Sequence, residues 1–440
     1  MINLFDLITN NKKFILLTIF PTFFLKLISS LGVILFNITI LFLSDKNTLG
    51  LFTIGLSILT FSSIISRIGL NSAILRFTSI SIYEKKDVQF KNEIIFSFIF
   101  SLLLSFIIFT ILISFENFIA YKIYQEEQLR KVIILIALNI PLYSIILIQK
   151  SLFNSFKISQ LSSISDLGAV LLITSLIAIF VEFFFGINLT IYRLCIYFLI
   201  SSLILILFLG IMLINLIISK FVLVFESSSF KVNKLFVKSL PNYFLIDLSN
   251  YFLVWGTIFL ASFFLTPSDL AVFSTIFLLG LSLNFVPITL NSIFSPIFSV
   301  KYKKDDIKGL IRTISNYKNI SILINLPIIS LSLFFSEEIL NYLFKTAYEF
   351  DILIFRIIIL THSIKVFSGP LILLYNLIGK EVLVRNISLL TLITHLSLIC
   401  ILAYYFSNAA LAISVSFFVT LMIKYIILNF SYIKFKKLNK

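Results

Sequence analysis

Apolar residues run through this chain in long, almost unbroken stretches that are separated by short polar segments. Uncharged runs occupy Ile94–Ser114, Leu167–Val181, Tyr197–Ser219 and Asn386–Phe406. Each run approaches or exceeds the roughly 20 residues with which an α-helix crosses a bilayer. The alternation of apolar and polar residues that marks a β-barrel strand is missing. The pattern predicts an all-α polytopic membrane protein.

The boundaries of the apolar stretches predict about 12 transmembrane helices. They cover roughly residues 14–43, 50–79, 93–115, 132–154, 162–183, 193–219, 239–265, 270–298, 317–336, 350–378, 384–406 and 408–432. The first stretch follows Lys12 and Lys13, has no small-residue cleavage site and is too long for a signal-peptide core. We expect it to remain in the protein as a membrane span.

A polar stretch divides these spans into two sets of six. Residues 220–238 carry Glu226, three serines and several lysines, and form the longest polar stretch in mid-chain. We therefore predict a six-helix bundle over residues 1–219, a cytoplasmic linker over 220–238 and a second six-helix bundle over 239–440. An even number of spans in each half gives both halves the same orientation, with a repeat axis along the membrane normal.

A short sequence repeat supports the division into halves. Leu70-Asn71-Ser72, followed by Tyr83, Lys85 and Asp87, returns as Leu290-Asn291-Ser292, followed by Tyr302, Lys304 and Asp306. The copies lie about half the chain apart, and a match of this kind indicates duplication. Each copy falls at the predicted cytoplasmic end of the second helix of its half. Duplication within an apolar chain is typical of transporters whose halves rock about a central site.

Composition agrees with a membrane protein and offers little support for an enzyme. The chain is 59% hydrophobic and 12% charged, with 51 Phe and a mean hydropathy of +1.09, whereas a soluble domain is about half apolar and a quarter charged. No loop exceeds about 20 residues, and no phosphate-binding loop, nucleophile elbow or zinc-protease motif is present. With two Cys and two His, we expect no metal site and no cofactor. An intramembrane enzyme stays open.

The distribution of positive charge predicts the orientation in the membrane. The net charge is +15, and most of the 35 Lys and Arg lie in loops on the amino-terminal side. The positive-inside rule places both termini in the cytoplasm. Because topology accounts for the net charge, binding to nucleic acid need not be invoked.

Charged residues inside the predicted spans are the candidate functional residues, because each costs roughly 2.5–3.5 kcal/mol at mid-helix. Six are cationic and two are carboxylates: Lys26, Arg67, Arg76, Arg356, Lys365, Lys424, Asp166 and Asp247. An excess of positive charge suits an anionic ligand such as a phosphate. We expect Lys26 and Arg67 to line a cavity. Arg76 lies near the cytoplasmic end, where it could bind ligand or lipid phosphate, and Lys424 is predicted to be a lipid anchor.

The carboxylates and histidines allow several interpretations. Asp247 shares a helical face with Asn250 and could form an ion pair with Lys26 or Arg67, or take up a proton or sodium ion. Asp166 is predicted to be structural. His362, Lys365 and Gly369 share a face that ends at Pro370, which predicts either a hinge or cavity lining, or a kink without a moving role. His395 is predicted to be a packing residue.

Several short segments spread over most of the chain carry a family resemblance. They are Leu49-Gly50-Leu51-Phe52, Arg67-Ile68-Gly69-Leu70, Ala73-Ile74-Leu75-Arg76-Phe77, Leu240-Pro241-Asn242, Ser295-Pro296-Ile297-Phe298, Tyr342-Leu343-Phe344 and Ile378-Gly379-Lys380. These segments resemble the polysaccharide-transporter branch, including the O-antigen flippases, of the multidrug/oligosaccharidyl-lipid/polysaccharide exporter superfamily. The chain departs from the family at Phe344-Lys345-Thr346, where Phe-Gly is common.

The resemblance implies two six-helix bundles that form a V around a central cavity. It also implies that a polyprenyl-pyrophosphate-linked oligosaccharide, such as an O-antigen or capsule repeat unit, moves from the cytoplasmic to the periplasmic leaflet of a bacterial inner membrane by alternating access. Cationic residues of the first two helices would bind the pyrophosphate, and coupling to H+ or Na+ is expected. The candidate substrate-binding residues are Lys26, Arg67, Arg76, His362 and Lys365, with Asp247 and Asn250 for ion coupling and Gly369 and Pro370 as the hinge.

The expected partners are the lipid-linked oligosaccharide, membrane lipids, H+ or Na+ and the polysaccharide polymerase machinery, and no nucleic acid. A drug or cation exporter of the same superfamily is the nearest rival, although such exporters need intramembrane carboxylates. An O-antigen polymerase or ligase is a second rival, which typically carries a large periplasmic loop. A non-transporting scaffold is a third, and would not need several buried cations.

Overall fold

The computed structural model describes residues 20–220, 232–303, 305–344 and 349–438. Several sequence features lie outside these ranges: the predicted start of the first span with Lys12 and Lys13, most of the polar linker, Lys304 of the repeat, and Lys345-Thr346. The described ranges contain helices and no strand. In order, the helices are α1 (Phe20–Leu43), α2 (Lys46–Arg67), α3 (Leu70–Tyr83), α4 (Asp87–Ser114), a π-helix (Phe118–Ile123), α5 (Leu129–Ser155), α6 (Ser159–Ile164), α7 (Leu167–Phe185) and α8 (Ile191–Lys220).

The remaining helices follow the polar stretch. They are α9 (Lys234–Phe252), α10 (Trp255–Ala261), α11 (Pro267–Leu281), a 3-10 turn (Ser282–Asn284), α12 (Phe285–Lys303), α13 (Ile307–Phe334), α14 (Ser336–Phe344), α15 (Glu349–Ser368), α16 (Leu371–Leu377), α17 (Glu381–Tyr405) and α18 (Ala409–Leu438). In the described ranges, 10 helical spans are long and apolar enough to cross a membrane, or up to 12 if each of two bent pairs counts as one. The prediction of an all-α polytopic membrane protein is confirmed.

The bent pairs fall within two predicted spans. The predicted span at 239–265 consists of α9 and α10, which are bent by 60°, and the span at 350–378 consists of α15 and α16, bent by 43°. The second bend occurs at Gly369 and Pro370, where the sequence predicts a kink. The first has no proline at its break, since residues 253 and 254 separate the helices.

The predicted span at 50–79 is wrong as a continuous helix. It is divided into α2 and α3 by Ile68 and Gly69, which both adopt left-handed backbone conformations with φ of 35° and 77°. A Cβ added to Gly69 would lie 2.5 Å from the carbonyl oxygen of Leu240 and 2.7 Å from the amide nitrogen of Phe244. Glycine is therefore required both by the turn and by the close approach of α9.

The repeated segments fold alike. In each, the helix that carries the Leu-Asn-Ser triplet (α3 or α12) ends at a short turn, and a 28-residue helix (α4 or α13) follows. Each turn contains a residue with positive φ, Lys85 at 54° and Asp305 at 52°. The first triplet begins its own helix instead of ending a long one, which corrects the placement predicted from the sequence.

Two further matches lie within one residue of the spacing of the Leu-Asn-Ser repeat. Leu49-Gly50-Leu51-Phe52 in α2 corresponds to Leu270-Ala271-Val272-Phe273 in α11, and both segments are buried. Pro21 near the start of α1 corresponds to Pro241 in α9. The matches therefore run from the first described helix of each half to the start of the third span, which supports duplication of this part of the chain.

The chain forms two compact units, Met1–Leu248 and Ser249–Lys440. In the first unit, α5 packs against α2, α3, α4 and α8. In the second, α15 packs against α11, α13 and α18. The greater part of α9 belongs with the first unit, so the unit boundary falls within that helix. The predicted domain limits at residues 219 and 239 stay a prediction, because residues 221–231 lie outside the described part of the chain.

Candidate functional site

Arg67 lies at the helix break, as the last residue of α2. Its side chain is buried, with 6% exposed. The guanidinium Nε donates to the backbone oxygen of Ser63 at 2.7 Å and Nη2 donates to the Ser63 hydroxyl at 3.3 Å. Among the described residues, no carboxylate forms an ion pair with it. Because a guanidinium has five N–H donors, this arrangement leaves donors for an anionic ligand.

Asp247 and Tyr143 are the polar neighbours of Arg67. The half-buried Asp247 of α9 attracts the guanidinium through space without reaching ion-pair distance, and Tyr143 is buried on α5. Asn250 lies one turn beyond Asp247 on the same helix and is exposed. The ion pair that was one interpretation of Asp247 is not formed between described residues, and its ion-coupling role stays a prediction.

Arg76 lies on α3, nine residues after Arg67, and is exposed. Its Nη1 donates to the hydroxyl of Tyr243 on α9 at 3.1 Å. The guanidinium carbon also lies 5.6 Å from the centre of the Phe77 ring. The close approach of Gly69 to α9 brings α3 and α9 together, and this places both arginines beside the same helix.

Lys26 belongs to a different group of charges. It is half-buried on α1 and lies near an ion pair between Lys150 of α5 and Asp166, the residue that precedes α7. The ion pair accounts for Asp166 as a structural residue. The two lysines share one carboxylate, so this group also carries excess positive charge.

His362 and His395 are packed in the core of the second unit. The Nδ1 atom of His362 is 3.0 Å from Nδ2 of Asn284, and its ring lies between Phe277 and Phe417, with centroid distances of 5.8 and 5.6 Å. His395 forms hydrogen bonds with Ser416 and Thr257. These contacts favour a packing role for His395, as predicted, and make His362 a less accessible ligand than the sequence suggests.

Lys365 is half-buried on α15, and its positive charge lies close enough to that of Lys424 on α18 for the two to repel each other. Lys424 has only 5% of its side chain exposed. The prediction that Lys424 anchors the chain to lipid is therefore wrong, because neighbouring helices enclose a side chain that an anchor would extend to the membrane surface.

Gly369 and Pro370 form the bend between α15 and α16. Gly369 has a φ of 80°, and Pro370 immediately precedes α16. The left-handed conformation favours glycine, and the bend of 43° shows that the sequence correctly located an interruption. A moving role for this hinge stays a prediction.

Glu93 is a buried carboxylate that the sequence pattern does not single out. It lies on α4 with 0% exposed, and it accepts hydrogen bonds from the Ser81 hydroxyl at 3.1 Å and from Nε2 of Gln89 at 2.9 Å. No described cation forms an ion pair with it. The available signal was Gln89 four residues before Glu93, a spacing that brings two side chains together on a helix. Within the described residues, no group of three His, Cys, Asp or Glu could hold a metal ion.

Comparisons with known proteins place the chain in a family. Residues 42–350 match the family described as polysaccharide biosynthesis protein. No curated protein sequence matches the chain significantly. The fold is similar to that of solved transporters of the MOP superfamily, at sequence identities that establish the fold alone.

Three of these structures illustrate the similarity. An inward-facing multidrug resistance MATE family transporter has a TM-score of 0.69 at 12% identity, with 96% of this chain and 99% of that chain covered. The same family in an outward-facing conformation gives 0.65 at 14% identity, covering 98% and 97%. A MOP superfamily transporter from Pyrococcus furiosus, described as having a binding pocket of reverse polarity that suggests a different function, gives 0.63 at 14% identity, covering 96% and 95%. By sequence and fold, this chain is a multi-pass membrane protein of the polysaccharide biosynthesis protein family.

Proposed function

We propose that this protein is a flippase that moves a polyprenyl-pyrophosphate-linked oligosaccharide from the cytoplasmic to the periplasmic leaflet of a bacterial inner membrane. The observation that carries the proposal is the buried Arg67, whose guanidinium has no ion pair with any described carboxylate. A buried cation without a carboxylate to balance its charge is costly in a membrane protein unless a ligand or water satisfies it. Membership of the polysaccharide biosynthesis family makes a lipid-linked glycan the natural ligand.

The chemistry of the arginines fits a pyrophosphate. Arg67 has its Nε and one Nη2 hydrogen bond directed to Ser63 of its own helix, which fixes the plane of the guanidinium. The remaining Nη donors can bind phosphate oxygens as a pair, a geometry that lysine lacks. Arg76 offers a second guanidinium along α3. Lys26, which lies near the ion pair of Lys150 and Asp166, would contribute a positive point charge.

Transport, not glycan chemistry, is the activity that these residues support. Binding of a pyrophosphate needs cations and donors, whereas a polymerase or ligase also needs a residue that acts on the glycosidic linkage. In this proposal Asp247 takes up H+ or Na+ and thereby alters its attraction for Arg67. When an ion neutralises the carboxylate, the guanidinium of Arg67 is released for the substrate. When the carboxylate loses the ion, it competes with the substrate for that guanidinium.

The test compares cells that lack the gene with cells that carry wild type, Arg67→Met or Arg312→Met. Arg312 is an exposed arginine on α13 and serves as the matched control. We expect lipid-linked oligosaccharide to accumulate on the cytoplasmic leaflet without the gene and with Arg67→Met, and to reach the periplasmic leaflet with wild type and Arg312→Met. Its sidedness is measured by digestion with a glycosidase that cannot cross the membrane.

Two other outcomes would replace the proposal. If unpolymerised units reach the periplasm in cells that lack the gene, the protein is a polymerase or ligase. If the distribution of glycan lipids is unchanged but cationic drugs accumulate in these cells, the protein is a drug exporter, a function found among proteins of the same fold.

A further inference from the structure

Three lysines of the second unit lie together without an acidic partner. They are Lys318 on α13, Lys365 on α15 and Lys424 on α18. Lys424 is buried, and the other two are half-buried. None of the three side chains forms an ion pair or a hydrogen bond with another residue of the described ranges. Their charges therefore lack compensation from the part of the protein that the structure describes.

Two contacts fix Lys365 and Lys424 at the same level of the α15–α18 interface. The His362 ring lies 5.6 Å from the Phe417 ring, and further along, Nδ2 of Asn429 donates to the Ser368 hydroxyl at 3.2 Å. The two helices therefore run in the same direction. Lys365 lies midway between the α15 residues of these contacts, and Lys424 lies between the α18 residues.

Lys318 approaches the same place from α13. A Cβ added to Gly369 would lie 3.6 Å from the Cβ of Lys318. Gly369 is four residues after Lys365, which is one helical turn. The three lysines thus come from three helices that meet at the bend between α15 and α16.

Acidic residues are few in the helices around this lysine cluster and lie at helix starts: Asp269 on α11, Glu337 and Glu338 on α14, and Glu381 on α17. The sequences of α12, α13, α16 and α18 contain no Asp or Glu. On α15 the acids are Glu349 and Asp351 in the first turn, about 20 Å along the helix from Lys365 at roughly 1.5 Å per residue. Compensation from these carboxylates is weak, because ion pairs require separations of about 4 Å.

Contact with lipid headgroups at the membrane surface does not account for Lys424. The residue lies near the midpoint of a 30-residue helix, so each helix end is about 20 Å away at roughly 1.5 Å per residue. A lysine side chain reaches a membrane surface only from positions close to a helix end. Burial against neighbouring helices also encloses its alkyl chain.

We propose that Lys318, Lys365 and Lys424 form an anion site within the second unit, and that this site binds a phosphate-bearing ligand. Three ammonium groups carry nine N–H donors, which match the several oxygens and multiple charges of a phosphate or pyrophosphate better than a halide. The Ser368 hydroxyl lies about one helical turn further along and supplies a neutral O–H donor, while the Asn429 amide donates to Ser368 and to the Tyr425 carbonyl. The site is separate from Arg67 and does not depend on the nature of the glycan.

Direct binding tests this site apart from transport. The full-length protein is reconstituted in nanodiscs of zwitterionic phosphatidylcholine, and binding of radiolabelled inorganic pyrophosphate is measured. Arg67→Met serves as the background, since it removes the buried guanidinium that the proposed function assigns to the pyrophosphate. Lys365→Met and Lys424→Met are then added singly, with Lys434→Met, an exposed lysine on the same helix α18, as the matched control.

We expect Lys365→Met and Lys424→Met each to weaken pyrophosphate binding about tenfold or more, as expected when a charged contact to a phosphate is lost. Lys434→Met should change it less than about twofold. Thermal unfolding identifies variants that fail to fold. If Lys365→Met is one of them, Lys365→Gln provides a polar replacement. Equal binding by all three lysine variants, or no binding by the Arg67→Met background, would overturn the proposal.

The source of the phosphate is resolved with a second lipid composition. In nanodiscs that contain anionic phosphatidylglycerol, a lipid headgroup that occupies the site would compete and raise the pyrophosphate Kd. An unchanged Kd would show that the ligand comes from water or from the transported substrate.

Discussion

Asp247 is the residue at which structural and functional roles can be separated most cleanly. It is half-buried and feels the charge of Arg67, yet no described cation forms an ion pair with it. A structural ion pair that loses one partner costs about 3–5 kcal/mol when it is buried. A carboxylate that only exchanges an ion makes a smaller contribution to stability. The two roles therefore differ in what a neutral replacement does to unfolding.

We expect Asp247→Asn to leave the thermal unfolding midpoint in detergent close to that of wild type and to reduce glycan export about tenfold or more. The amide keeps the shape of the side chain but cannot bind a proton or sodium ion. Glu338→Gln, at an exposed position on α14, is the control for loss of one acidic charge. A large fall in the unfolding midpoint of Asp247→Asn would instead assign Asp247 to a structural ion pair.

Glu93 illustrates a buried carboxylate with neutral partners. Ser81 and Gln89 donate to its two oxygens, so its removal leaves the buried Ser81 hydroxyl and the half-buried Gln89 amide without this acceptor. We expect Glu93→Ala to destabilise the protein by about 2–4 kcal/mol from the lost hydrogen bonds and the cavity. Denaturant titration of the purified protein measures this difference.

Ser79→Ala serves as the control for Glu93→Ala, because the Ser79 hydroxyl bonds only to the backbone of its own helix, at Leu75. Its effect should be below about 1 kcal/mol. Equal destabilisation by the two substitutions would show that Glu93 contributes no more than an ordinary polar residue of the α3–α4 region.

At the scale of helices, the break between α2 and α3 depends on Gly69. The residue combines a left-handed backbone conformation with a close approach to α9. A side chain at this position meets two costs, the backbone strain of about 1–2 kcal/mol and the overlap with the backbone at Leu240. The second cost is the one that links the break to the position of α9.

We expect Gly69→Ala to lower stability by more than about 3 kcal/mol, because the contact with Leu240 forces α9 to move. Gly186→Ala is the matched control: Gly186 also has positive φ, at 61°, but an added Cβ would have nothing within 4 Å. It should cost only the backbone strain, about 1–2 kcal/mol. Similar unfolding free energies for the two variants in a denaturant titration would show that the approach to α9 is loose.

The long apolar stretches of the sequence predicted the positions of the membrane spans well, but they predicted the breaks within those spans less well. Hydropathy averages over about 20 residues, so it detects apolar length and is insensitive to two residues of left-handed backbone such as Ile68 and Gly69. Gly369-Pro370 was recognised because proline has a local effect on helix hydrogen bonds. The break before α10 has no such signal and depends on tertiary packing.

The candidate site shows the same limit. Sequence alone selected Arg67 as a candidate binding residue, because charged residues inside apolar spans are few, but it left open an ion pair with Asp247. It could not separate the Lys26 group from the Arg67 group, nor show that Lys424 is buried, because both depend on which helix faces lie together. His362 depends on tertiary packing in the same way: its ring lies between Phe277 and Phe417, and its role in substrate binding stays a prediction.

For the whole molecule, the duplication preserves the framework and varies the charges. Pro21 and Pro241 correspond at the same spacing as the Leu-Asn-Ser repeat, but Lys26 of α1 corresponds to Ile246 of α9, which is followed by Asp247. Buried residues of the repeat, such as Leu49 and Leu270, are identical. Packing positions are thus retained in both halves, while the ionisable residues differ.

The orientation of the whole chain gives a final prediction, which rests on the distribution of Lys and Arg among the loops. We expect Lys85, in the turn between α3 and α4, to face the cytoplasm, and Gln125, in the loop between the π-helix and α5, to face the periplasm. Lys85→Cys and Gln125→Cys are introduced separately into a Cys400→Ser background. Cys195 is buried and should remain unlabelled in folded protein.

A maleimide that cannot cross the membrane is added to spheroplasts, whose periplasmic face is exposed. Gln125→Cys should react at once and Lys85→Cys only after permeabilisation, while the background without an introduced cysteine should not react. Because α4 separates the two positions by one complete span, they must lie on opposite sides if it crosses the membrane. Labelling of both before permeabilisation would contradict this crossing, and labelling of Lys85→Cys alone would reverse the orientation and with it the direction of the proposed transport.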